Sequence, residues 1–124
     1  MILLIGNWKM APSKASDALT LAKKTLVIAK QYKKSIKVVV CVPDIHIPLL
    51  TKNIKTTLSV GGQMVAASTE IAQTGLVDAG MLHSYGTTYC IVGHSESRAR
   101  GETDVQVLES TKNLIQKKIT PIIC

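Results

Sequence analysis

The sequence predicts an α/β fold built on a parallel sheet, and three observations lead there. Five short apolar runs, "ILLIGNW", "IKVVVCVP", "TLSVGGQMV", "TTYCIVGHS" and "ITPIIC", alternate with helix-like segments along the chain. No hairpin signal such as Asn-Gly joins two of them, so consecutive strands need crossovers instead of tight turns. "ILLIGNW" is a short apolar run and "IKVVVCVP" a continuous β-branched one, the pattern of strands covered on both faces. Such alternation packs as a parallel sheet with right-handed connections. Two architectures fit: an open doubly wound sheet, or part of a closed α/β barrel.

Each element has its own justification. "ILLIGNW" is bounded by Gly6 and Asn7 and reads as a buried strand. "APSKAS" is a loop with helix-start residues. From Asp17 to about Lys33, Leu19, Ala22, Leu26 and Ala29 recur at helical spacing with lysines between them. Pro43 ends the second strand, and "IPLLTKNI" reads as a short helix. The third strand is interrupted by Gly61 and Gly62, and "LVDAGMLHSYG" forms a turn or two of helix closed by Gly86. Thr103 or Asp104 caps a helix whose Val107, Leu108, Thr111, Leu114 and Ile115 share one face. No GxGxxG follows the first strand, so the dinucleotide-binding fold lacks its fingerprint. No internal repeat or low-complexity stretch breaks the series, and 1–124 reads as a single domain.

Composition narrows the function classes. At 46% hydrophobic and 19% charged the chain suits a globular protein, and without Phe its core must be aliphatic. The formal charge of +7 suits an acidic partner. Most lysines, however, lie in stretches such as "AKKTLVIAKQYKK", which read as a solvated helix face. No aromatic-plus-basic motif is present, so nucleic acid is not an expected partner. Cys41, Cys90 and Cys124 are odd in number and sit in apolar runs, which predicts reduced, buried thiols and a cytoplasmic protein. "MILLIGNWKM" lacks a basic start and is too short for a signal peptide or span, so no membrane association is expected.

In either architecture functional residues belong at the carboxyl ends of the strands. Asn7 and Lys9 follow the first strand, Gln63 the third, and His94, Ser95 and Glu96 the fourth. Lys9 can hold a phosphate or other anion as a point charge. His94 can serve as acid, base or hydrogen-bond donor, with Glu96 two residues on to bond a neighbour or move protons. The plainer alternative leaves Lys9 exposed, His94 capping the next turn, and Glu96 paired with Arg98 or Arg100. His46 and His83 are expected at the surface, and no histidine pair has metal-ligand spacing, so no metal is expected. Trp8 reads as a packing residue. Ser95 lacks the nucleophile-elbow context of a hydrolase.

"GNWKM" after the first strand, "GGQMV" in the third, "YCIVGHSESR" at the fourth, "GETD" opening the next helix and "TPIIC" in the fifth together resemble triosephosphate isomerase. The resemblance implies a (β/α)₈ TIM barrel, here an incomplete one of about five parallel strands with flanking helices. It also implies interconversion of dihydroxyacetone phosphate and glyceraldehyde 3-phosphate without a cofactor. By position, Lys9 would stabilise the charge of substrate and enediolate, and Asn7 would hold Lys9 and line the pocket. His94 would polarise the carbonyl as a neutral imidazole, the role the enzyme's histidine has as a worked case of tuned acid–base chemistry. Ser95 would contribute near the following helix start, and Glu96 would be the acidic residue beside His94 and Lys9. The family's base, a glutamate after strand six, and its phosphate-gripping loops lie beyond strand five, where this sequence stops. The expected partners are therefore a triose phosphate and either a C-terminal half-barrel polypeptide or further copies of the chain. The alternative is a non-enzymatic, self-associating half-barrel that binds phosphate compounds. Leu76 and Ser97 replace a glutamate and an arginine that bridge the family's dimer, and Ala11 replaces an asparagine.

Overall fold

The computed structural model describes every residue except 55 and 56. In chain order the elements are β1 (Ile2–Asn7), α1 (Ala15–Gln31), β2 (Ile36–Cys41), a 3₁₀ turn (Asp44–His46), α2 (Ile47–Asn53) and β3 (Leu58–Gly62). They continue with α3 (Ala79–Ser84), β4 (Tyr89–Val92), α4 (Ser95–Ala99), α5 (Asp104–Gln116) and β5 (Thr120–Ile123). The strands form one sheet in the order β1-β2-β3-β4-β5, every pair parallel. The sheet curls into half a barrel with helices outside. That arrangement decides between the two architectures in favour of the partial TIM barrel.

The two faces of the sheet bury different residues. Val38, Val40 and Val42 point outward into the main core with Ala22 and Ala29 of α1, Leu50 of α2 and Leu114 of α5. Alanines at the contact let α1 approach the strands closely. Val39, Cys41, Tyr89 and Ile91 form a smaller cluster on the concave face, with Ile5 and Ile122 against it. Two strands remain uncovered. Ile2 and Leu4 of β1 are 66% and 54% exposed, and Ile123 of β5 is 64% exposed.

Local signals explain the element ends. Thr103 and Gln106 form a reciprocal capping box at the start of α5, a device whose cap residue is worth about 1 kcal/mol. Gly86 closes α3 in a left-handed conformation (φ +80°), with Gly86 N–H donating to His83 O and Thr87 N–H to Leu82 O.

Several expectations need correction. His46 is only 5% exposed, because its Nε2 donates to the Pro12 carbonyl at 2.8 Å and seals the loop after β1 against the turn after β2. Cys124 is exposed, unlike Cys41 and Cys90, because no strand covers β5. Leu108 and Ile115 of α5 face solvent, and Ser110 is buried in their stead with its hydroxyl donating to Val65 O. β3 ends at Gly62 instead of running through Val65, and α4 is a helix that the sequence pattern did not mark out. Trp8 packs against the main core, and His83 is exposed, both as expected.

Candidate active site

Asn7 is the last residue of β1, and Lys9 follows in a left-handed conformation (φ +54°) that few residues other than glycine adopt. Three hydrogen bonds hold the chain there. Lys9 N–H donates to Asn7 Oδ1 at 2.9 Å, and Gln63 Nε2 donates to Lys9 O at 2.8 Å and to Cys41 O at 3.1 Å. The ends of β1, β2 and β3 are thus tied together around one lysine. Backbone strain held by its surroundings is typical of functional positions.

His94 and Glu96 come from the end of β4. Gly93 (φ +71°) turns the chain there, and a Cβ on it would meet Arg98 Nη2 at 3.1 Å and Val107 at 3.3 Å. Arg98 braces the turn by donating to Gly93 O (2.9 Å) and to Asp104 Oδ1 (2.6 Å). His94 caps α4: its Nδ1 accepts the Glu96 N–H at 3.2 Å. A nitrogen that accepts from a backbone N–H bears a lone pair, so the ring proton of the neutral imidazole sits on Nε2. Capping through Nδ1 therefore leaves Nε2–H free to donate elsewhere.

Glu96 does not pair with Arg98 or Arg100. Its Oε1 accepts from Lys9 Nζ at 2.7 Å, and its Oε2 lies 3.7 Å from His94 Nδ1. The hydrogen bond from Lys9 is the main reason its carboxyl is held below the usual range, with the charges of Lys9 and Arg100 adding to it. Asn7, Lys9, Gln63, His94 and Glu96 line one cavity of about 140 Å³. Ser95 is exposed at the start of α4 and is not part of that lining, whereas Ser97 is.

Sequence reasoning missed Asp44, which forms part of the same wall. Its Oδ1 is buried without a hydrogen-bond partner, and burial pushes its carboxyl upward, opposite to Glu96. Only the turn after β2 brings it there, so no local signal marked it. Because the folded state holds this proton more tightly than the unfolded chain, stability is lost as pH rises through the folded pKa. Asp44→Asn is therefore expected to be more stable than the parent at pH 7, with the gap closing below about pH 4, the ordinary aspartate value. Urea unfolding at the two pH values checks this, and an Asn variant less stable at pH 7 would contradict it.

Among the described residues no group of three or more His, Cys, Asp or Glu side chains is placed to hold a metal. No helix among them is long and apolar enough to cross a membrane.

The family model for triosephosphate isomerase matches residues 2–124. The chain belongs to the triosephosphate isomerase family. It is 38% identical to the triosephosphate isomerase of Thermus thermophilus over 127 residues, which cover 99% of this chain and 49% of that protein. It is 38% identical to that of Methylococcus capsulatus (98% and 48% covered) and 33% identical to that of Cytophaga hutchinsonii (98% and 49%). The chain thus spans about half the length of the curated relatives it matches. Leu76 and Ser97 line one cavity of about 260 Å³ together with Arg100. There Arg100 Nη2 donates to Ser97 Oγ at 3.1 Å.

Proposed function

We propose that this chain supplies the charge-stabilising half of a triosephosphate isomerase site, acting on dihydroxyacetone phosphate and glyceraldehyde 3-phosphate. The observation behind the reading is that the Lys9 ammonium and the His94 imidazole, with Nδ1 occupied and Nε2 protonated, line one cavity. A base removes a proton from the carbon next to the carbonyl, and the electron pair moves onto the carbonyl oxygen. Nε2–H of His94 and the ammonium of Lys9 stabilise that oxygen. Moving the hydroxyl proton from the neighbouring oxygen to the former carbonyl oxygen, and returning the abstracted proton to the former carbonyl carbon, completes the isomerisation with no cofactor consumed. Asn7 and Gln63 act by fixing Lys9. Glu96 is a poor carbon base, since Lys9 engages it and lowers its pKa. The base and the phosphate-gripping loops come from strands that complete the barrel, on this polypeptide or another. The three free thiols suit a reducing compartment such as the cytoplasm.

The test is a coupled assay on residues 1–124 alone and after mixing with the remaining half of the Thermus thermophilus relative. Activity is expected only in the mixture. Turnover by the 124-residue chain that vanishes in Glu96→Gln would overturn the assignment of the base to the missing strands.

The same reading predicts association. β1 and β5 expose both apolar side chains and unpaired backbone groups, which template pairing with other chains. Light scattering of the 124-residue chain is expected to show multimers that break up when the completing half is added. A folded species of single-chain mass, stable at nanomolar concentration, would contradict this.

A further inference from the structure

Among the described residues, the strand positions on the concave face of the half-barrel carry one cation and no anion. Lys37 pairs in register with Leu3 and shares the face of Val39 and Cys41, so it points into the barrel and not toward the helices. Its Nζ lies 5.0 Å from the centre of the Tyr89 ring, reaching across β3 to β4. Among the described residues no carboxylate pairs with it. The register leaves Asn7, Ser59 and Thr120 as the other polar side chains of that face, and none is acidic. At present Lys37 is exposed at the open bottom of the half-barrel, where water solvates its ammonium.

Completing the sheet changes that. Strands placed across the concave face would remove Lys37 from water, and a desolvated ammonium needs a counter-charge. The Tyr89 ring face supplies part of the compensation but no hydrogen-bond acceptor. A second copy docked with its strands running the same way cannot help, because it would set another Lys37 opposite this one, and the concave strand positions of the described residues carry no carboxylate. We propose that the concave face is closed by strands that present an aspartate or glutamate to Lys37, and that this pair selects a complementary half over a second copy. The inference rests on the barrel-closure reading above and adds the chemistry of the occupant. The chain's formal charge of +7 favours an acidic partner in the same direction.

The protein is purified from its own host in its assembled state, treated with a water-soluble carbodiimide, digested and analysed by mass spectrometry. An amide between the Lys37 amine and an Asp or Glu outside residues 1–124 is expected. Acetylation of Lys37 is expected to slow at least about tenfold relative to the 124-residue chain alone. Lys37→Met, which leaves the partner carboxylate unpaired, is expected to weaken assembly by on the order of a hundredfold. A closed assembly in which Lys37 stays unlinked and Lys37→Met assembles normally would overturn the carboxylate while leaving barrel closure intact. Lys37 acetylated equally fast in both states, or linked amine to amine with a second Lys37, would overturn closure by a complementary half as well.

Discussion

Lys9→Ala and His94→Ala are each expected to lower turnover of the completed barrel by on the order of 10²-fold or more, with assembly unchanged. Removing one preorganised group that stabilises a developing oxyanion typically has this effect. Both side chains sit at strand ends in the cavity wall, so truncation leaves the sheet intact. The two losses should differ in kind. Lys9 supplies a full charge to substrate and intermediate alike, so Lys9→Ala is expected to raise KM as well as lower kcat. His94 acts by donating from Nε2 where charge develops, so its loss should fall mainly on kcat. Lys9→Ala also releases Glu96, whose carboxyl should return toward the ordinary glutamate range once the Lys9 hydrogen bond is gone. Coupled kinetics and a carboxyl titration by NMR check both statements. Near-normal kcat in either variant would mean that these residues line the cavity without serving the reaction.

The largest stability effect is expected at Gly61. A Cβ there would lie 2.9 Å from the Cys41 sulfur and 2.9 Å from the carbonyl oxygen of Tyr89. Side chains can swing aside, but the second contact is backbone of the neighbouring strand, fixed by the pairing of Gly61 with Tyr89. Ordinary overpacking costs about 1–3 kcal/mol, and a rigid contact belongs at the upper end. Gly61→Ala is therefore expected to lose about 3 kcal/mol or to fail to fold. Gly6→Ala is the control: its nearest atoms stand 3.9 Å away, so its effect should be small and of either sign. Thermal unfolding of the two variants side by side decides it. Equal stability would show that β3 and β4 can separate at this point without cost.

Much of the site was legible because its residues occur in local order at strand ends. Asn7, Lys9, Gln63, His94 and Glu96 each follow an apolar run, and a parallel sheet brings all such ends to one side. The partner of Glu96 was not legible. Lys9 lies 87 positions away in sequence, while Arg98 and Arg100 are near neighbours that local reasoning favours. Asp44 was missed for a related reason, since its place in the wall depends on how the turn after β2 folds over β3.

The sequence by itself determined the number and order of the strands and their parallel pairing. It did so because hydrophobic periodicity and turn chemistry are properties of contiguous residues. Only the tertiary structure decided that His46 is buried against Pro12, and that Leu108 and Ile115 face water while Ser110 does not. The apolar pattern of α5 marks a stripe wider than the sheet beneath it can cover. It likewise decided that Cys124 is exposed and that Lys37 stands over Tyr89 on the concave face. Burial and charge pairing depend on which elements meet in space, and that is set by packing between segments far apart in the chain.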